Sequence, residues 1–247
     1  MYRCYIDPLR WAERPLCPEE DDAHHLAHVL RVRVGDTLTV FDGQGRHALA
    51  RVAGLARGGA SMELLPVEGT EVRLPARRPM ILLQSILKGS RMDLLIEKAV
   101  ELGVSLLVPV MTERVVVRLD GAQAEERRRR WRRMALAAAR QCGTDWLPEV
   151  GPVSTLAAAL DQAGGALCLV GSLAVGARPL RVVLEERRDA GGDGGVALVI
   201  GPEGDFTEAE HAACVQAGAL PVTFGTRVLR AETASLYALS AVAYALD

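Results

Sequence analysis

The sequence predicts an α/β protein in which a small β-rich unit precedes a larger domain built on a mostly parallel sheet. Three observations carry this. From about residue 80, short apolar runs alternate with segments of helical periodicity, the signature of strands buried between helices. Before residue 70 the pattern alternates strictly, with a D-G turn between two such stretches. Between the two regions, residues 68–79 are polar, charged and proline-marked, as a linker would be.

Taken in order, residues 23–31 place apolar side chains at helical spacing ahead of Gly35. Residues 36–41 alternate, Asp42-Gly43-Gln44-Gly45 supplies a turn, and residues 47–52 resume the strand. A short helix feeding a compact β-barrel is the simplest assembly. Beyond the linker, residues 80–86 suit a buried parallel strand. Residues 91–102 put Met92, Leu95, Ile96 and Ala99 on one helical face, ended by Gly103. Residues 106–110 form the next strand, followed by a long helix to Arg140. Residues 166–170 and 196–200 are further buried strands that each end in glycine; 222–224 is shorter, and 232–246 is a strongly apolar last helix. The glycine-rich loop at 190–195 reads as flexible and structurally neutral. The expected division is residues 1–72 and residues 73–247.

Composition narrows the function. With 247 residues, 49% hydrophobic and 24% charged, the chain can bury a full core. Aromatics at 4% argue against a binding surface made mainly of stacked rings. No apolar run approaches the roughly 20 residues that span a bilayer. The first residues lack the apolar core of a secretory signal, so a cytoplasmic protein is expected. Cys4, Cys17, Cys142, Cys168 and Cys214 are scattered without a C-x-x-C pair, which argues against a disulfide framework and against zinc. His24, His25 and His28 cluster, but no second ligand group lies at metal spacing, and no metal is expected. The net charge of −2 hides the run Arg127-Arg128-Arg129-Arg130-Trp131-Arg132-Arg133. That run suits first of all a solvated helix face paired with Glu125 and Glu126, and after it RNA phosphates.

In open parallel sheets, ligands bind beyond the carboxyl ends of the strands. The most informative strand end is residues 199–206, V-I-G-P-E-G-D-F, where two glycines permit close backbone approach and Pro202 stiffens the turn. Thr207 and Glu210 fit a capping box that opens a helix behind it. The loop is neither of the glycine patterns that cradle phosphates, and its acid, Glu203, suits a ligand with hydroxyls, amines or positive charge. A tight structural β-α connection fits the same residues. A second strand end, residues 224–234, joins Gly225, Arg227 and Arg230 to Glu232-Thr233 at the start of the last helix. Glu232 and Thr233 suit helix-start chemistry. Arg230, lying between apolar segments, is expected to be buried with a specific partner. At a third strand end Arg114 is placed to bind phosphate or to pair with Glu113 or Glu101. No histidine stands near a nucleophile in the sequence of these loops, so no catalytic triad is expected.

Seven segments in order carry a family resemblance: residues 25–31 (HLAHVLR), 41–43 (FDG), 97–104 (EKAVELGV), 112–114 (TER), 139–143 (ARQCG), 200–204 (IGPEG) and 227–234 (RVLRAETA). With them the chain resembles, over essentially its whole length, the RsmE family of ribosomal RNA methyltransferases in the SPOUT superfamily. The resemblance implies an N-terminal PUA-like β-barrel that helps hold RNA and a C-terminal SPOUT domain with a trefoil knot. It implies a homodimer, S-adenosylmethionine as cofactor, and methylation of N3 of a uridine (uridine 1498) in 16S ribosomal RNA of the small subunit. Carried over by position, Val170, Gly171, Ser172, Ile200, Gly201, Pro202, Glu203, Gly204, Gly225, Val228, Leu229, Arg230 and Ala231 line the cofactor pocket, with Ile200 and Leu229 as apolar walls. Arg230 is the expected catalytic residue, stabilising charge on a uracil oxygen, because a guanidinium cannot serve as base. Glu232 is a weaker candidate for proton acceptor. Arg3, Arg10, Arg31, Arg33 and Arg114, with part of the central arginine run, are the expected RNA contacts. Two positions depart from the family pattern: Asp205 replaces a usual glycine, and Thr144 a usual arginine whose phosphate contact Arg140 is placed to supply. They leave open a non-catalytic RNA-binding or assembly factor of the same fold, beside a methyltransferase acting on another RNA position such as a ribose 2′-oxygen.

Overall fold

Alternation at the front of the chain becomes a five-stranded mixed sheet in the computed structural model, which describes residues 2–56, 59, 61–192 and 194–246. Strand β1 (Arg3–Tyr5) runs parallel to β2 (Thr37–Phe41), while β2, β3 (Arg46–Leu55) and β4 (Met62–Pro66) follow as antiparallel neighbours. The expected linker holds a short strand, β5 (Val72–Arg73), which pairs with β3 because its backbone completes that edge. Residues 20–29 form helix α1 (Glu20–His24) continued by a π-helical turn (His25–Val29), so the helical segment starts three residues before the periodicity suggested. Period-two side chains such as Leu38, Val40, Ala48, Ala50 and Val52 join Leu26 and Trp11 in this unit's core.

The Asp42–Gly45 turn does more than reverse the chain. Asp42 Oδ1 accepts from the backbone N–H groups of Gln44 (2.7 Å) and Arg46 (3.0 Å). Gly43 and Gly45 have φ of 73° and 87°. A Cβ on Gly45 would stand 2.4 Å from the Trp146 ring. The turn is therefore a socket for residues 145–147, and two backbone bonds fix it: Gly45 N–H to Asp145 O (3.0 Å) and Leu147 N–H to Gly43 O (2.9 Å). Accordingly the first compact unit comprises Met1–Ala76 together with Leu136–Leu147, and the second comprises Arg77–Ala135 with Pro148–Asp247.

The second unit alternates strand and helix: β6 (Met80–Ser85), α2 (Ser90–Glu101), β7 (Leu106–Met111), α3 (Gly121–Cys142, whose end belongs to the first unit), β8 (Glu149–Val150), β9 (Ser154–Thr155) and α4 (Leu156–Asp161). Then come β10 (Leu167–Gly171), β11 (Arg178–Pro179), α5 (Leu180–Asp189), β12 (Val196–Ile200), α6 (Glu208–Gln216), β13 (Leu220–Thr223) and α7 (Ala231–Leu246). The sheet order is β11-β13-β10-β12-β6-β7-β8, with β9 also on β7, and every described pairing is parallel. Helices cover both faces, as parallel sheets require. Ile81 and Leu83 pack with Leu156 and Ala159 of α4 and Cys214 of α6. The opposite side of β6 meets α7, where Ser235 Oγ donates to the buried Gln84 Oε1. Gly195 is constrained rather than neutral: a Cβ there would stand 2.4 Å from Pro79. Asp193 of that loop lies outside the described residues. No helix among the described residues is long and apolar enough to cross a membrane.

Candidate active site

The chain places β12 beside β10, then returns so that β13 lies on the other side of β10. Where strand order reverses in this way, neighbouring connections part at the carboxyl ends and leave a crevice. A cleft of about 270 Å³ occupies that place, lined by the segments that follow β10, β12 and β13.

Its floor depends on a glycine. A Cβ on Gly171 would stand 3.0 Å from the Phe224 ring and 3.3 Å from Ile200 Cδ1, so a larger residue there would press these apolar groups toward the entrance. Beside it the buried Ser172 hydroxyl lies 2.9 Å from His211 Nε2 on α6, so the fold brings together a histidine and a hydroxyl that the sequence, with the two 39 positions apart, did not pair.

The loop after β12 forms one wall. Its exit is anchored by the capping box of α6, in which Thr207 Oγ1 accepts from Glu210 N–H (3.2 Å) and Glu210 Oε2 accepts from Thr207 N–H (2.9 Å). Arg114 Nη1 donates to the carbonyls of Gly204 (2.9 Å) and Phe206 (3.4 Å), holding the same loop from outside. Glu203 accepts from Arg91 at 3.0 Å, and Arg91 also stands 3.8 Å from Glu232. One cation thus links the loop after β12 to the start of α7.

The segment before α7 forms the facing wall. Leu229 and Ala231 are apolar, whereas Arg227 and Arg230 are solvent-exposed and have no ion pair among the described residues. Arg230 is therefore not the buried, paired charge that the sequence suggested. The turn at Gly225 and the open end of the sheet leave it at the mouth of the cleft, free to meet a ligand.

Comparison with known proteins places the chain in a family. The RNA methyltransferase domain family matches residues 74–243, and the RNA methyltransferase PUA domain family matches residues 18–65. A protein of Mycobacterium bovis named ribosomal RNA small subunit methyltransferase E is 33% identical, covering 96% of this chain and 89% of its own length. The chain belongs to the ribosomal RNA small subunit methyltransferase E family. A crystal structure of a family member from Neisseria gonorrhoeae, bound to S-adenosyl methionine, is 32% identical with a TM-score of 0.83, covering 98% of this chain and 96% of that one. A Legionella pneumophila structure in complex with bound SAM is 29% identical with a TM-score of 0.85, over the same shares of both chains. The fold of this family is an α/β domain on a parallel sheet with a PUA domain in front, as described above.

Most of the residues that the family resemblance assigns to the cofactor meet at this cleft. Gly171, Ser172, Ile200, Gly201, Pro202 and Glu203 line one part of it, and Val228, Leu229, Arg230 and Ala231 another. Val170 is buried in the core, Gly204 presents its carbonyl to Arg114, and Gly225 holds the turn at φ 112°. Glu232 is partly buried beside Arg91 and does not line the cleft. Leu173, Asp205, Thr223, Phe224 and Ala234 also line it, although sequence reasoning did not single them out as site residues, and Arg227 joins them without having been assigned to the cofactor. Their signal was adjacency to the glycine-marked strand ends.

The arginines expected at RNA sit differently from one another. Arg3 is largely buried, pairs with Asp145 and lies 4.7 Å over the Phe41 ring. Arg10 pairs with Glu13 at 3.0 Å, whereas Arg31 and Arg33 are exposed. Arg140, placed to make the contact missing at Thr144, is instead paired with Asp22. The cysteines take no part in the cleft. Burial pushes the Cys168 thiol up to about 11, and burial with neighbouring Cys168 and Glu210 pushes Cys214 up to about 12.

Proposed function

We propose that this chain methylates N3 of a uridine in 16S ribosomal RNA, uridine 1498 in standard numbering, with S-adenosylmethionine bound in the cleft beyond β10, β12 and β13. The observation that carries this reading is Arg230, without an ion pair among the described residues, at the mouth of a cleft whose other wall carries acids. The residues suit that cofactor: apolar Ile200 and Leu229 offer walls for a flat base, and Glu203 and Asp205 offer negative charge to an amine and a sulfonium. When bound, S-adenosylmethionine supplies a methyl group that forms the N3–CH3 bond as its bond to sulfur breaks, leaving a neutral thioether while the imide proton passes to solvent.

The protein's own contribution is alignment and charge. The glycine approaches at Gly171 and Gly201 fix how closely backbone meets the ligand, and holding two reactants in line supplies much of the acceleration. Arg230 donates hydrogen bonds to a uracil carbonyl oxygen as negative charge builds on the ring. Glu232, beside Arg91 and outside the cleft, orients the start of α7 rather than accepting the proton.

RNA is held, in this reading, by a PUA-like region over residues 1–72 in front of the catalytic region 73–247, and the chain works as a homodimer. Arg10, Arg31 and Arg33 are the phosphate contacts of the front region. Arg3, committed to Asp145, acts by keeping that region folded.

Incubation with undermethylated small subunits and labelled cofactor, followed by mass-spectrometric location of the methyl group, tests the reading. A methyl on uracil N3 is expected; a methyl on a ribose oxygen would replace the proposed target, and none would remove the activity. Arg230→Ala is expected to lower kcat about 100-fold while cofactor Kd changes by less than about threefold. Equal losses in both would assign Arg230 to cofactor binding instead.

A further inference from the structure

The wall formed by the loop after β12 carries a second acid, Asp205, at a position with an unusual backbone. Its φ is 60°, in the left-handed region, and among described residues other than glycine only Arg31 shares that sign. A side chain there costs free energy that glycine would avoid, and Asp tolerates it because its short carboxyl group bonds locally. Here Oδ1 accepts from the Phe206 N–H at 2.8 Å. The carboxylate forms no ion pair among the described residues, yet Asp205 lines the cleft. The other charged residues that line the cleft are Glu203, Arg227 and Arg230. Glu203 is offset by Arg91, Arg114 is spent on the carbonyls of Gly204 and Phe206, and Arg227 and Arg230 stand on the facing segment. Asp205 therefore supplies a negative charge on this wall that forms no ion pair among the described residues.

We propose that Asp205 is a specificity residue that favours the cationic methyl donor over the neutral thioether left after transfer. This rests on the function proposed above and adds a discrimination to it. Donor and product share their adenosine and amino-acid parts and differ in one methyl group and one unit charge at sulfur. A carboxylate that lines the cleft without an ion pair acts on that charge, and at separations of several ångströms under partial solvent screening this amounts to about three- to tenfold in relative affinity. A site so biased releases product in favour of fresh donor.

Isothermal calorimetry on the full chain tests this, titrating S-adenosylmethionine and S-adenosylhomocysteine into the wild type, Asp205→Asn and Asp205→Gly. Asparagine keeps an oxygen for the Phe206 N–H and tolerates the left-handed backbone, so it removes charge alone. Glycine relieves the backbone outright, so it carries the test should the asparagine variant fold poorly. The preference for S-adenosylmethionine over S-adenosylhomocysteine is expected to fall about three- to tenfold in both variants, chiefly through weaker donor binding. An unchanged ratio, including equal weakening of both ligands, would overturn the charge discrimination and leave Asp205 a turn residue. A wild type that binds neither ligand would overturn the cofactor assignment itself, and this inference with it.

Discussion

Arg114 illustrates how a residue's neighbours change its meaning. Its guanidinium reaches the carbonyls of Gly204 and Phe206, on the loop that walls the cleft. A charged donor held on two carbonyls fixes that loop, and losing it frees both the loop and its unsatisfied oxygens. Arg114→Ala is therefore expected to weaken S-adenosylmethionine binding about tenfold, measured by calorimetry, and to leave the salt dependence of RNA binding unchanged. The reverse pattern would make Arg114 a phosphate contact. Arg230 contrasts with it: exposed at the mouth and without an ion pair among the described residues, it is placed to meet a substrate oxygen. Spacing places these two arginines at strand ends, but it does not show which one the backbone claims.

At the scale of elements, the helices are legible where one face is buried. In α2, Met92, Leu95, Ile96, Ala99 and Val100 are buried at helical spacing, and Gly103 follows at φ 86°. The start of α6 is legible for a different reason, since Thr207 and Glu210 satisfy backbone donors that no turn of helix can reach. Thr207→Ala is expected to lower stability by about 1 kcal/mol, read by chemical denaturation. Because the same cap anchors the exit of the loop at Gly201, a parallel loss of cofactor affinity is expected in that variant. Short strands such as β1, β5 and β11 carry too few residues for alternation to show, so only their pairing partners reveal them.

For the whole molecule, charge distribution matters more than the net −2. Arg31 and Arg33 on the first unit, and Arg129, Arg132 and Arg133 on α3, are exposed without ion pairs among the described residues, whereas Arg130 is paired with Asp93 and Arg128 stands near Glu125. Each phosphate contact releases counterions, so affinity for ribosomal RNA is expected to fall steeply with salt. The double variant Arg31→Ala/Arg33→Ala is expected to reduce the log–log slope by about one to two. Filter binding between low and moderate salt checks this, and an unchanged slope would remove both residues from the interface. The end of α3 and residues 143–147 belong to the first unit because Asp145 bonds Arg3 and lies 2.7 Å from His47.

By itself the sequence determined the alternation of strands and helices, the glycine-marked strand ends and the family, because each is written in local spacing or short ordered motifs. Only the tertiary structure decided which strand ends meet. Sheet order depends on long-range pairing, and it brings β13 back across β10 so that three separate loops enclose one cleft. It also decided which charges are spent: Arg3 on Asp145, Arg140 on Asp22 and Arg91 on Glu203. An ion pair between residues more than a hundred positions apart leaves no trace in spacing, so the charges without an ion pair among the described residues, Arg230 and Asp205 among them, emerge only once the paired ones are known.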